Sequence, residues 1–285
     1  VLTWTDRPAR GWGFNGQVRT SYPKAEKIPE GMDWNLWLGP CQEDVPFSRA
    51  IHPTTWRPWW SFGCGGLGDI GCHTIDTAYW ALGLGAPDKV EVDMTEKANA
   101  IHTPNGSTVT YKFPSRGSQP AVDVKWIEGP RLPKAPTGYD WDIKGHGGFI
   151  MVGEKGGISH DGMRPNSPRL YPKARWEDYR KNANERVPKT LKRVPGIHND
   201  WVNGIRNSEM TVSDFSYSGP LTESIILGTL AIRTGKGLEW NAKDMKISGN
   251  KEAAALIDVE ARKGWRPSES RARNAPDPSP PPLRR

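Results

Sequence analysis

The chain has 285 residues, 35% of them hydrophobic, and no run approaches the roughly 18 consecutive apolar residues that a membrane-spanning helix needs. Lys and Arg (39) outnumber Asp and Glu (32), but residues 266–285 supply +3 of the resulting +7, and the +4 left elsewhere is scattered, with no nucleic-acid motif. Gly (31) and Pro (26) are abundant without a three-residue period, which excludes collagen and favours a loop-rich globular chain.

Residues 1–62 show little periodicity, and turn-like pairs such as Arg7-Pro8, Tyr22-Pro23 and Gly39-Pro40 interrupt them. They hold half of the 14 tryptophans, which suits an irregular arm anchored on a core by its indoles. From Leu67 to Leu82 the apolar spacing becomes helical, and Gly83 and Gly85 stop it. Alternation then predicts strands over Lys89–Met94, Ser107–Phe113 and Ala121–Trp126. A further pair, Phe149–Val152 and Gly157–His160, flanks the turn Gly153-Glu154-Lys155-Gly156.

Residues 161–195 read as Pro-rich, basic loop. A short helix follows over Ile197–Arg206. The strongest helix covers Leu221–Arg233, with Pro220 at its first turn and Gly235 after its end. Short strands at Leu238–Trp240 and Met245–Ile247 and a helix at Glu252–Glu260 precede the tail, residues 266–285, whose six prolines predict a disordered or extended segment. Helices at both ends of a run of strands indicate an α+β domain with a mainly antiparallel sheet covered on one face. The expected organisation is an arm over 1–62, a domain over 63–265 and the tail.

Cys41, Cys64 and Cys72 have neither disulfide-framework nor zinc spacing, so reduced thiols are expected. Gly63-Cys64-Gly65-Gly66-Leu67-Gly68 satisfies the dinucleotide pattern G-x-G-x-x-G. The preceding Trp56-Arg57-Pro58-Trp59-Trp60-Ser61-Phe62 makes a poor buried strand, however, and close backbone packing at a helix start is the favoured explanation.

Asp69, His73 and Asp76 fall one helical turn apart on one face. A carboxylate one turn from an imidazole favours the protonated ring and fixes its orientation, which suits a proton-transferring histidine. The same spacing also suits a hydrogen-bonded structural histidine or part of a metal site, and spacing alone leaves the three readings open. Arg57, Trp59 and Trp60 precede this helix and could line a pocket, where aromatic faces suit sugar rings and Arg suits hydroxyls. His198, opening the later short helix, and Arg169 and Lys112 are further candidate polar contacts. His52, His102, His146 and His160 receive no role.

Gly68-Asp69-Ile70-Gly71-Cys72-His73-Thr74-Ile75-Asp76 resembles the second-domain helix motif of Gfo/Idh/MocA-type oxidoreductases. Further segments resemble one bacterial branch of that family: Trp4-Thr5-Asp6-Arg7-Pro8, Asp33-Trp34-Asn35-Leu36-Trp37-Leu38-Gly39-Pro40, Ser167-Pro168-Arg169-Leu170, Ser218-Gly219-Pro220-Leu221-Thr222-Glu223 and Gly264-Trp265. The resemblance implies a large open antiparallel sheet of the dihydrodipicolinate-reductase-like kind. It implies His73 as the catalytic acid/base and Asp69 as its partner; Asp76, Arg57, Trp60, His198 and Arg169 are the expected substrate contacts. It implies a sugar or polyol substrate, NAD or NADP as cofactor, and a homo-oligomer formed through the open sheet.

The family's cofactor fingerprint and its Glu-Lys-Pro motif have no counterpart here, so the chain is expected to lack the Rossmann domain, to bind no cofactor tightly by itself and to be incomplete for catalysis. Two other functions stay open: an NAD-assisted, redox-neutral glycoside hydrolase, and a non-catalytic oligomerisation scaffold. No metal, nucleic acid or membrane span is expected, and a cytoplasmic and an exported location remain equally open.

Overall fold

The computed structural model describes residues 1–7, 17–182, 187–188 and 190–266. The alternating segments become β2 (Lys89–Met94), β3 (Ser107–Phe113), β4 (Val122–Glu128), β5 (Gly148–Gly153) and β6 (Gly156–Asp161). Four shorter strands join them: β1 (Leu2–Thr5), β7 (Arg169–Tyr171), β8 (Leu238–Asn241) and β9 (Lys246–Ser248). Together they form one nine-stranded sheet of order β7-β6-β5-β1-β4-β3-β2-β8-β9, in which only the β1–β4 pair is parallel.

The pairing register sorts side chains by chemistry. Val92, Val109, Trp126, Thr3 and Phe149 form one row across five strands, and Val90, Tyr111 and Val124 another. This face is covered by α2 (Gly65–Ala81) and α5 (Phe215–Thr234), which pack on each other and on the central strands. Leu67, Ile75, Val109, Trp126 and Phe149 are fully enclosed there, each contributing roughly 1.5–3 kcal/mol by leaving water.

On the opposite face Lys89, Lys112 and Asp123 align, as do Glu91, Thr110 and Lys125, and Lys112 Nζ meets Asp123 Oδ2 at 2.6 Å. The rest of that face, around Trp4, Ile127 and Ile150, is covered by Tyr139, Trp141 and Ile143. The open half of the sheet therefore presents ion pairs. Lys112 lies on this face, away from α2.

Several local expectations change. Leu2–Thr5, read as part of an irregular arm, is a central strand, since its four residues pair with β4 and β5. The expected loop over 161–195 contains β7 and α3 (Lys173–Lys181). The start of α5 is set by Asp214, whose side chain accepts from the Ser216 amide at 2.8 Å, and the helix continues through Pro220. The last helix, α6 (Lys251–Ala255), is capped by Asn250 and stops short of the expected Glu260. The tail reading for 267–285 lies outside the described residues.

A carboxyl group lies within the helix-covered face. Glu128, at the end of β4, is 1% exposed, and its carboxylate accepts from Ser107 Oγ at 2.8 Å, from Trp126 Nε1 at 3.1 Å and from the Leu67 backbone at the start of α2. Burial pushes its pKa up to about 7 despite these donors. A carboxyl whose pKa is raised on folding holds its proton longer in the folded chain, so its contribution to stability falls as pH rises from the ordinary carboxyl range through about 7. Replacing Glu128→Gln keeps the three contacts without the charge. Relative to the unmodified chain, the variant is expected to gain up to roughly 3 kcal/mol between about pH 5 and pH 8, measured by denaturant unfolding across pH. Parallel pH profiles for the two proteins would contradict this.

Candidate functional site

The glycine-rich start of α2 explains itself through its neighbours. Gly65 has φ +66°, and its amide donates to the Arg57 carbonyl at 3.0 Å, which fixes the Arg57 backbone beside the helix start. A Cβ at Gly66 would collide with Glu128 Oε2. The anion that the helix N-terminus accommodates is thus the protein's own carboxylate. Residues 56–62 form turns rather than a buried strand. This geometry does not fit a dinucleotide pyrophosphate.

Along α2, Leu67, Ile70, Gly71, Thr74, Ile75, Ala78 and Tyr79 are buried against the sheet and α5. Asp69, His73 and Asp76 lie half-buried on the other side, at successive turns of one face. Each carboxylate is held by a residue from elsewhere. Arg57 Nε meets Asp69 Oδ1 at 3.1 Å, and Arg57 Nη1 donates to the Thr54 carbonyl at 2.7 Å. Tyr217 on α5 donates its hydroxyl to Asp76 Oδ1 at 2.5 Å. Burial and then this carboxylate hold the Tyr217 hydroxyl well above the usual phenol range, so it stays a donor. His73, between the two carboxylates, has no hydrogen-bond partner among the described residues.

Cys72 lies on the same face, but burial, followed by the charges of Asp69 and Asp76, pushes its thiol pKa up, which opposes nucleophilic use. Among the described residues no group of three or more His, Cys, Asp or Glu side chains could hold a metal ion.

The other expected contacts do not assemble around this face. Trp60 is 8% exposed, packs in the core and donates its Nε1 to the Asn99 carbonyl at 3.0 Å. Trp59 is also buried, at 1% exposure. Arg169 is engaged by Asp161 Oδ2 at 2.7 Å and lies 4.4 Å over the Trp141 ring. His198 is exposed on α4 (Ile197–Asn207), and no hydrogen bond or ion pair joins it to α2 among the described residues. Sequence reasoning missed Tyr217, which is 141 residues from Asp76. It also missed Glu128, which reads as an ordinary polar strand end.

Residues 5–144, from the end of β1 past β4, match the family described as "Oxidoreductase family, C-terminal alpha/beta domain". No curated protein matches the chain.

The Arg57–Asp69 pair is 30% exposed on both sides, where a pair is worth little to stability. Arg57→Ala is expected to change unfolding free energy by less than about 1 kcal/mol in denaturant titration. A loss of several kcal/mol would make Arg57 a structural residue instead.

Proposed function

Because the chain belongs, over residues 5–144, to the Gfo/Idh/MocA oxidoreductases through their C-terminal α/β domain, we propose that α2 presents the substrate-side catalytic face of an enzyme oxidising a hydroxyl of a sugar or polyol. The observation that carries this reading is the half-buried His73, without a hydrogen-bond partner among the described residues, between two carboxylates that are each occupied by another residue.

Oxidation of a CH–OH group requires the hydroxyl proton to leave. His73 is the group on this face with a free ring nitrogen to take it, and in the reverse direction to return it. Asp69, held by Arg57, lies one turn earlier and is placed to fix the ring or a neighbouring substrate hydroxyl. Asp76, accepting from Tyr217, bounds the face on its other side.

The family uses NAD or NADP as hydride acceptor. The glycines at 63–68 do not fit that cofactor, because Glu128 occupies the helix N-terminus. The chemistry assigned to this chain is therefore confined to binding the hydroxyl and moving its proton.

In the full-length protein, His73→Ala is expected to lower kcat/KM for NAD(P)H formation by about 10²–10⁴, assayed with a panel of sugars and polyols. Unchanged turnover would remove His73 from the mechanism.

A further inference from the structure

Tyr217 sits in the first turn of α5, where Asp214 caps the helix and its carbonyl accepts from the Tyr217 amide at 3.1 Å. The Tyr217 ring meets Tyr79 edge-on at 5.8 Å, and Tyr79 meets Phe113 of β3 edge-on at 6.5 Å, so two aromatic contacts tie the phenol to the sheet. Its single hydroxyl hydrogen goes to Asp76 Oδ1. Asp76 follows His73 by three positions, the spacing at which helical side chains meet. A carboxylate so placed has a charge-assisted hydrogen bond to the imidazole within its reach. It is bound across to α5 instead, and no hydrogen bond joins it to His73 among the described residues. The other charged groups around α2 are engaged or distant. On the helix itself Asp69 is held by Arg57, and burial pushes the Cys72 thiol pKa up. On α5, Glu223 accepts from Trp240 Nε1 at 2.7 Å, and Arg233 lies over the Trp60 ring. Of the strands packed on α2, β1 and β5 carry no titratable side chain, while β4 has Glu128 at the helix start and Asp123 and Lys125 on the opposite face of the sheet. His160 of β6 lies 3.4 Å from Thr77 Oγ1, one residue past Asp76.

We propose that Tyr217 is a positioning residue that holds Asp76 toward α5 and so keeps the His73 ring open to the substrate hydroxyl. Proton transfer to His73 needs an unoccupied ring nitrogen when the hydroxyl arrives, and a carboxylate closed on the ring competes with the substrate for it. The phenol meets that need without placing a charge beside the histidine. It stays a donor, because burial and then Asp76 hold its pKa well above the usual phenol range. The proposal deepens the function proposed above and rests on it for the use of the ring nitrogen.

An NMR titration of the whole chain tests it, following the His73 ring signals, which are assigned by their loss in His73→Ala. Tyr217→Phe keeps the ring and its contact with Tyr79 and removes the hydroxyl alone. The freed Asp76 is then expected to close on His73 and raise the proton affinity of the ring about three- to tenfold, read as a midpoint about 0.5–1 pH unit above that of the unmodified chain. In an Asp76→Asn background the same substitution is expected to move the midpoint by less than about 0.2 unit, because no carboxylate is released. A tyrosine with a merely structural role would lower stability and leave the midpoint in place. An unmoved or lowered midpoint in Tyr217→Phe, or an equal rise in the Asp76→Asn background, overturns the proposal. If Tyr217→Phe does not fold, Asp76→Asn in the otherwise unmodified chain decides. A change below about threefold in the proton affinity of His73 is expected there, and a fall of about tenfold or more would show that Asp76 already pairs with the ring. The two readings fail separately. A raised midpoint in Tyr217→Phe while His73→Ala retains turnover in the full-length protein sinks only the catalytic reading, and a required His73 with an unmoved midpoint sinks only the role of Tyr217.

Discussion

The carboxylate of Glu128 at the start of α2 is the constraint on which the rest depends. Its three donors come from β3, from its own strand and from the helix backbone, so one buried group ties the sheet to the first turn of the helix that carries the polar face. Such a group is costly to bury and is tolerated because its lone pairs are satisfied and because the helix N-terminus favours negative charge. It also accounts for Gly66, where any side chain would fall on the carboxylate. A sequence pattern suited to phosphate is thereby explained by an internal anion.

With α2 fixed at that end, its other residues divide cleanly. The apolar positions seat on the row of Val109, Trp126 and Phe149, and α5 closes over them. Packing determines the rotation of the helix about its axis, and that rotation determines which side chains remain accessible. Asp69, His73 and Asp76 are accessible because Leu67, Ile70 and Ile75 are not. The polar face thus follows from how the core is packed, and Arg57 and Tyr217 then occupy the two acids from opposite sides.

What the sequence discloses follows the range of the interactions involved. Strands β2 and β3 were legible to the residue because one face packs under helices and the other carries Lys89, Glu91 and Lys112 in ion pairs, giving strict alternation. The alignment of Asp69, His73 and Asp76 was legible because helical spacing is local. β1 was not, since four residues within a Trp-rich stretch carry little period of their own and gain their strand from partners more than 120 positions away. The tryptophans show the same limit. Composition marks a surplus of indoles but cannot sort buried Trp59 and Trp60 from half-buried Trp37 and Trp56, because that depends on which segment closes over them.

The segment before α2 is where these lines meet. It is tied at the backbone by Gly65 on Arg57 and by the Thr103 amide on the Pro58 carbonyl at 2.8 Å, and buried Trp59 and Trp60 anchor it between the aromatic cluster and the main core. Next to these anchors Arg57 lies with its Cζ 5.0 Å from the Trp56 ring centre and its Nε on Asp69. An arm of low periodicity would ordinarily be the most mobile part of such a domain. Here buried Trp59 and Trp60 anchor it, and the same composition that obscures its fold in the sequence is what allows it to position a charged group on the polar face.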